Sequence, residues 1–171
     1  DHEGSALEHI EYDFDADGNF EQYDIATVAD ADGSQIEDTL YAGTFGDDQI
    51  AAGAGNDVIF ADAGDDVVHG GKGIDLIFGS LGEDLLEGGE GDDLIFGGLG
   101  FDIIEGGFGD DELYGGAGAD QINGGLGDDS ILGGEGDDSI LGDSGDDYIV
   151  GGIGSDAIDG GSGIDEIDYS T

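Results

Sequence analysis

The chain has 171 residues, of which 45 are Asp or Glu and one is basic, giving a formal net charge of −44. Nucleic acids and anionic membrane surfaces attract Lys and Arg, so this charge excludes both as partners and makes a cation the natural partner. Gly occurs 39 times while Pro, Cys, Met and Trp are absent, which excludes disulfides, thiolate metal sites and a Cys nucleophile. No apolar run is long enough for a membrane-spanning helix or a signal peptide, so no direct membrane insertion is expected.

Residues 1–42 are expected to form an N-terminal cap or linker. Between Asp13 and Asp24, the stretch 13–18 (Asp-Phe-Asp-Ala-Asp-Gly) is followed by Glu21, and the spacing resembles an EF-hand calcium loop. The flanking aromatic and aliphatic residues favour strand over helix, and the twelfth place holds Asp where Glu is usual. Two interpretations stay open, an additional calcium site and an acidic turn.

Residues 33–41 (Gly-Ser-Gln-Ile-Glu-Asp-Thr-Leu-Tyr) look like a degenerate copy of the nine-residue unit that follows. Asp38 and Leu40 are expected at the positions that hold Asp and an aliphatic residue in the later units, and Ile36 replaces the expected Gly. Terminal repeats of a solenoid shield the open end of the core and are atypical in sequence. This copy therefore predicts a small β-rich cap.

Residues 43–168 divide into fourteen consecutive nonapeptides without an insertion, as in Gly-Gly-Glu-Gly-Asp-Asp-Leu-Ile-Phe at 88–96. The fourth residue is Gly and the sixth is Asp in all fourteen, and the eighth is always Ile, Leu or Val. Positions one and two are mostly Gly. A single such nonamer could arise by chance, but fourteen in phase indicate a repeat architecture.

Each unit predicts a tight turn of six residues, because Gly permits positive φ, followed by a strand of three. Strand side chains alternate, so the eighth residue faces inward and the seventh and ninth face outward. Two units make a coil of 18 residues, and seven coils stacked at the spacing of parallel strands give a rod of roughly 30 Å.

The sixth-position Asp residues stack at about 4.8 Å from one coil to the next. At an effective dielectric constant near 20, each neighbouring pair of carboxylates repels by about 3 kcal/mol. A divalent cation between stacked turns reverses the sign of that interaction.

The pattern resembles the G-G-x-G-x-D-x-U-x nonapeptide of RTX (repeats-in-toxin) proteins, and the resemblance covers 126 of the 171 residues. The resemblance implies an all-β fold, a right-handed parallel β-roll, which is a β-helix solenoid. It also implies type I export of a larger bacterial-type protein, and folding outside the cell or at its surface when calcium is met.

In the family, each calcium lies between one turn and the turn two units further on. One turn supplies the backbone carbonyls of positions two and four and its Asp side chain. The other turn supplies the backbone carbonyls of positions one and three and its Asp side chain. Six gaps on each side of the roll then allow up to twelve Ca²⁺ ions, which we expect to trigger folding. The alternative is ordinary acidic turns with incidental metal affinity.

The resemblance assigns the following ligands. The sixth-position aspartates are Asp48, Asp57, Asp66, Asp75, Asp84, Asp93, Asp102, Asp111, Asp120, Asp129, Asp138, Asp147, Asp156 and Asp165. The fourth-position glycines are Gly46, Gly55, Gly64, Gly73, Gly82, Gly91, Gly100, Gly109, Gly118, Gly127, Gly136 and Gly145, and the second-position glycines are Gly53, Gly71, Gly89, Gly98, Gly107, Gly116, Gly125 and Gly134.

Three units depart from the pattern, with Thr44 and Phe45 in the first, Ala61 and Asp62 in the third, and Asp143 in the twelfth. A residue other than Gly at position two can still present its carbonyl if its φ permits. The sites in these units are therefore expected to be weaker, and they need not be absent.

Ninth-position residues 18 apart align on one outer face as an aromatic row, Phe60, Phe78, Phe96 and Tyr114. A cover for this row is expected, either from the first 40 residues or from another copy or domain. The alternatives are an exposed stripe that only favours strand formation, and a calcium-rigidified spacer or adhesion module that self-associates or attaches through this face.

No enzyme activity is expected. The three His residues are His2, His9 and His69, and their positions do not indicate a catalytic triad of Ser, His and a carboxylate. The many acid pairs are better explained as turns. The sequence predicts a calcium-binding module at 43–168, with residues 169–171 beginning a truncated C-terminal continuation of the parent protein.

Overall fold

The computed structural model describes residues 21–29 and 35–169. Every helix or strand in this part of the chain is a β-strand. The strands are β1 Glu21–Ala29, β2 Gln35–Ala42, β3 Gln49–Ala54, β4 Val58–Phe60, β5 Val67–Lys72, β6 Leu76–Leu81, β7 Leu85–Glu90, β8 Leu94–Leu99, β9 Ile103–Phe108, β10 Glu112–Ala117, β11 Gln121–Leu126, β12 Ser130–Glu135, β13 Ser139–Ser144, β14 Tyr148–Ile153, β15 Ala157–Asp159 and β16 Glu166–Asp168.

Successive strands alternate between two sheets. The nine-stranded sheet has the order β1-β2-β4-β6-β8-β10-β12-β14-β16, and the seven-stranded sheet has the order β15-β13-β11-β9-β7-β5-β3. From β2 onward the pairing is parallel and joins each residue to the one 18 positions later, as Tyr114 is joined to Leu132. The two sheets are thus the faces of a solenoid of about seven coils, which confirms the predicted parallel β-roll.

The eighth-position residues fill the space between the sheets. From Ile50 to Ile149 they are all buried, with at most 2% of each residue exposed, whereas Ile158 and Ile167 in the last coil are partly buried. Seventh- and ninth-position residues are more exposed than the eighth in these strands, as in the alternating pattern of β7. The inward direction of the invariant aliphatic residue is confirmed.

The strands are longer than predicted. Most span six residues, because pairing continues through the first three residues of the next nonapeptide. The first-position residue is not part of the paired register. Tyr114 pairs with Leu132 and Gly116 pairs with Gly134, so Gly115 between them is skipped. The turn is therefore shorter than the sequence suggested, and the first-position Gly lies in the strand facing the interior.

The degenerate unit is shifted by one residue from the predicted frame. Leu40 pairs with Val58 and Tyr41 with Ile59, so the inward eighth position is held by Tyr41, which is 5% exposed, and not by Leu40. Thr39, not Asp38, aligns with the sixth-position Asp57. A shift of one residue reverses the faces of a strand. Tyr41 ends the apolar core, and its hydroxyl donates to the carbonyl of Ala52 at 2.8 Å.

β1 pairs antiparallel with β2, so residues 21–29 extend the edge of the nine-stranded sheet. Most of the acidic stretch from Asp13 to Asp24 lies outside the described residues. Across the residues that are described, no helix is long and apolar enough to cross a membrane.

Candidate metal centre

The sixth-position aspartates form two continuous columns, one on each side of the roll. The Asp48 column runs from Asp48 to Asp156, and the Asp57 column from Asp57 to Asp165, each in steps of 18 residues. In both columns the backbone N–H of each Asp donates to Oδ1 of the Asp in the next coil, over 2.7–3.2 Å. One carboxylate oxygen per residue is thus used to join neighbouring turns.

The second carboxylate oxygen has no such use. Within the described residues, eleven aspartates have an Oδ2 that is buried and lacks a hydrogen-bond donor, and each of these residues is at most 2% exposed. They are Asp57, Asp66, Asp75, Asp84, Asp93, Asp102, Asp111, Asp120, Asp129, Asp138 and Asp147. A buried carboxylate oxygen without a partner is costly, so this repeated arrangement calls for a cation.

Backbone carbonyls face the same gaps between coils. A Cβ placed on Gly79 would lie 2.5 Å from Asp84 Oδ2 and 2.7 Å from the carbonyl oxygen of Gly97 in the next coil, so these two oxygens face one small region. From Gly55 onward, the carbonyl oxygen of each fourth-position Gly points at the fourth-position Gly of the next coil, as the carbonyl of Gly55 points at Gly73. Carbonyl and carboxylate oxygens are the ligands that calcium prefers.

The fourth position must be Gly for two reasons. Gly73 has a φ of +122°, and a side chain there would overlap the carbonyl oxygen of Gly55. Both the left-handed backbone and the close approach of the preceding coil exclude a Cβ. This explains the Gly at that position in the later units; Gly46 in the first unit has neither the positive φ nor the close contact.

Burial raises the pKa of all eleven aspartates with an unpartnered Oδ2. Loss of water around the carboxylate is the main cause; nearby carboxylates add to it, and the backbone N–H bond to Oδ1 opposes it. The pKa rises to about 7 for Asp93 and Asp129, and to about 6 for Asp66, Asp75, Asp102 and Asp111. Without a counter-cation, burial therefore disfavours the charged form of these carboxylates.

No group of three or more His, Asp or Glu side chains suited to a metal ion occurs among the described residues. A cation in these gaps would be held by one or two carboxylates together with backbone carbonyls. That donor set is hard and flexible, and it suits Ca²⁺ better than Zn²⁺ or Mg²⁺.

The turns at the two ends of the columns differ from the others. Asp156 and Asp165 belong to the last coil and are half-buried. In the first unit, Asp48 Oδ2 accepts hydrogen bonds from the backbone N–H and the hydroxyl of Thr44, at 2.6 and 3.0 Å.

The other atypical residues at position two, Asp62, Ser80 and Asp143, adopt φ values of 72–84°, as the turn requires.

A second set of inter-coil bonds was not predicted. The fifth-position side chains Asp92, Asp110 and Asp128 each accept the backbone N–H of the fifth residue in the following coil, at 2.8–3.0 Å. They point toward the next coil, whereas the sixth-position carboxylates point toward the preceding one. The recurrence of Asp or Asn at position five could have predicted these bonds, because both side chains carry an Oδ1 that can accept a backbone N–H.

The outer faces carry the predicted rows. Phe60, Phe78, Phe96 and Tyr114 stack with centroid separations of 4.8–5.0 Å and interplanar angles of 2–10°. On the other sheet, His69 contacts Glu87 at 2.6 Å, with both side chains about half exposed. That pair lies on an open strand surface and belongs to a stacked row of side chains.

The family model of the RTX calcium-binding nonapeptide repeat matches the chain in four copies, at residues 42–77, 69–104, 96–131 and 132–167. The chain therefore belongs to the RTX calcium-binding repeat family. A search of the curated proteins found no match. The buried aspartate columns fit the calcium-binding module that this family defines, and the β-roll of the family is a structural, non-catalytic module.

Proposed function

We propose that this chain is a calcium-dependent folding module of a larger secreted protein, in which Ca²⁺ held between the coils decides whether the roll forms. The observation that carries this proposal is the set of buried Oδ2 atoms without a donor, repeated in one gap after another. A chain of charge −44 with such a core cannot hold these carboxylates together without a counter-charge.

The proposed ligands of each ion are the sixth-position carboxylates and the carbonyls of the adjoining turns, including those of the second- and fourth-position glycines. The carbonyls supply ligands without adding charge. Ca²⁺ would neutralise the carboxylates and bring together acceptors that have no donor of their own. Binding then occurs only in the stacked state, so the free energy of binding becomes free energy of folding.

Export in an unfolded state and folding outside the cell follow from the same coupling. Calcium is scarce in the cytoplasm of cells and abundant outside, so a roll that needs millimolar to micromolar calcium would stay unfolded until it is exported. The family, which is typical of secreted bacterial proteins, supports this order of events. Any catalytic activity would then belong to other parts of the parent protein.

Two isosteric variants in adjacent coils test the ligand assignment. Asp111→Asn keeps an Oδ1 acceptor but removes the charge and the unpartnered carboxylate oxygen, and it should lower the number of calcium ions bound in isothermal titration. Asp92→Asn is the matched control, because it removes the same charge from an exposed fifth-position side chain, and Asn56 already accepts a backbone N–H at the equivalent place. Equal calcium binding by both variants would contradict the assignment.

A second role is supported by the aromatic row on the nine-stranded sheet. Phe60 is 38% exposed at one end of the stacked rings, and Leu132 beyond Tyr114 is 36% exposed. Residues 21–29 and 35–42 lie within the sheet and do not cross this face. We propose that a second copy covers the row once calcium has reduced the net charge, as in a spacer or adhesion module.

Sedimentation velocity with and without calcium tests this second role. The parent chain should dimerise only with calcium, and the double variant Phe78→Ser and Phe96→Ser should remain a monomer while retaining its calcium-dependent β signal. A parent chain that is monomeric in calcium at high concentration would exclude self-association through this face.

A further inference from the structure

The first turn of the Asp48 column contains a carboxylate that is already satisfied by the protein. Asp48 Oδ2 accepts the backbone N–H of Thr44 at 2.6 Å and the Thr44 hydroxyl at 3.0 Å. The same hydroxyl lies 3.4 Å from the carbonyl oxygen of Gly46, at position four of the turn. One side chain thus contacts two oxygens that the other turns leave for a cation.

Part of this gap's geometry matches that of the others, although Gly46 lacks the positive φ of the later fourth-position glycines. The backbone N–H of Asp48 donates to Asp66 Oδ1 at 2.8 Å, as in every later coil of the column. Asp48 Oδ2 also lies beside the first-position carbonyl of the next coil, that of Ala61. The Asp48 carboxylate thus faces the next coil as its equivalents do, but it is half-buried and its Oδ2 is bonded to Thr44.

The cause is the backbone conformation at position two. Asp62, Ser80 and Asp143 replace Gly there and still adopt positive φ, and their turns keep an unpartnered Oδ2 on Asp66, Asp84 and Asp147. Thr44 does not adopt a positive φ. A β-branched residue is strongly disfavoured in the left-handed region, so the first turn takes a different path that brings the Thr44 N–H and hydroxyl onto Asp48.

We propose that Thr44 closes the first gap to calcium, so that the roll holds eleven calcium sites and not the twelve that the count of gaps allows. This inference rests on the proposed function. Eleven is also the number of buried Oδ2 atoms without a donor in the described residues, one for each of the other gaps. In the Asp57 column, Thr39 takes the sixth position before Asp57, and its backbone N–H donates to Asp57 Oδ1 at 2.7 Å.

The test is a crystal structure of the full chain grown in calcium, with anomalous difference density collected to locate the ions. We expect peaks in the eleven gaps that follow the unpartnered aspartates, and none between Asp48 and Asp66. Thr44→Gly should restore the turn of the later units and add a twelfth peak in that gap. Ser80→Gly is the matched control, because it makes a similar change in a turn that is already open, and it should leave the number at eleven.

The outcomes separate the two proposals. A peak between Asp48 and Asp66 in the parent chain, or its absence from Thr44→Gly, would overturn the inference while the remaining peaks uphold calcium binding. A chain with no peaks in any gap would overturn the proposed function itself. Isothermal titration of the same three proteins gives a solution check, with one further site expected in Thr44→Gly only.

Discussion

The backbone N–H of Asp93 donates to Oδ1 of Asp111 at 2.7 Å, while Oδ2 of Asp111 is buried without a donor. The first contact fixes the carboxylate between two coils, and the second leaves part of its negative charge unbalanced there. Because the relationship recurs along both columns, the bonds that align the coils also concentrate charge between them. Stacking and cation binding are therefore coupled at each step of the roll.

The raised pKa values predict that acid can replace part of the effect of calcium. A group whose pKa is higher in the folded state stabilises that state below its unfolded pKa of 3.8, and the contribution is lost as the pH rises through about 6 to 7. In chelator, the β signal in circular dichroism should therefore increase as the pH falls from 7 toward 4.5.

Saturating calcium should reverse this dependence. Protons then compete with the cation for the same carboxylates, so the midpoint of urea unfolding should fall over the same pH range. A calcium-free chain with no gain in β signal on acidification would show that the buried carboxylates are not the obstacle to folding.

The fourth-position glycines predict a strong position effect. Gly100→Ala places a Cβ at φ +135° against the carbonyl of Gly82, and should destabilise the calcium-bound roll by more than about 1 kcal/mol. Leu99→Ala, next to it and 56% exposed in the parent, is the control and should have little effect. Urea unfolding in calcium measures both, and similar midpoints for the two variants would contradict the close approach of the coils.

Position along the column should also matter. Asp102 is fully buried between two coils and bonds to neighbours on both sides, whereas Asp165 accepts from Asp147 and lies in the last described coil. Asp102→Ala should lower both the calcium stoichiometry and the unfolding midpoint, and Asp165→Ala should only fray the end. Calcium titration and thermal unfolding of the two variants compare them, and equal losses would argue against ligands shared between neighbouring gaps.

Much of the roll could be predicted from the sequence because the repeat is regular. A period of nine with one inward aliphatic residue determines the 18-residue register, the two sheets and the alignment of the aspartates, without any knowledge of the turn geometry. The aromatic row followed from the same arithmetic, and its stacking confirms the alignment.

The N-terminal end could not be predicted in the same way. The unit before Gly43 lacks the glycines that fix the frame, and the acidic side chain of Asp38 suggested an alignment one residue away from the one that buries Tyr41. The effect of Thr44 depends on its φ, which spacing does not reveal. Its β-branched side chain at position two was the available signal, since the other non-Gly residues there can adopt the left-handed conformation at lower cost.

If calcium is required for the fold, circular dichroism of the chain in excess chelator shows it most directly. We expect a spectrum without β structure that converts cooperatively to a β spectrum on addition of millimolar calcium. Magnesium at the same concentration should do this poorly, because it is reluctant to exchange its waters for a flexible set of carbonyls. A native β spectrum that persists in chelator at neutral pH, unchanged by calcium, would show that the roll folds without calcium.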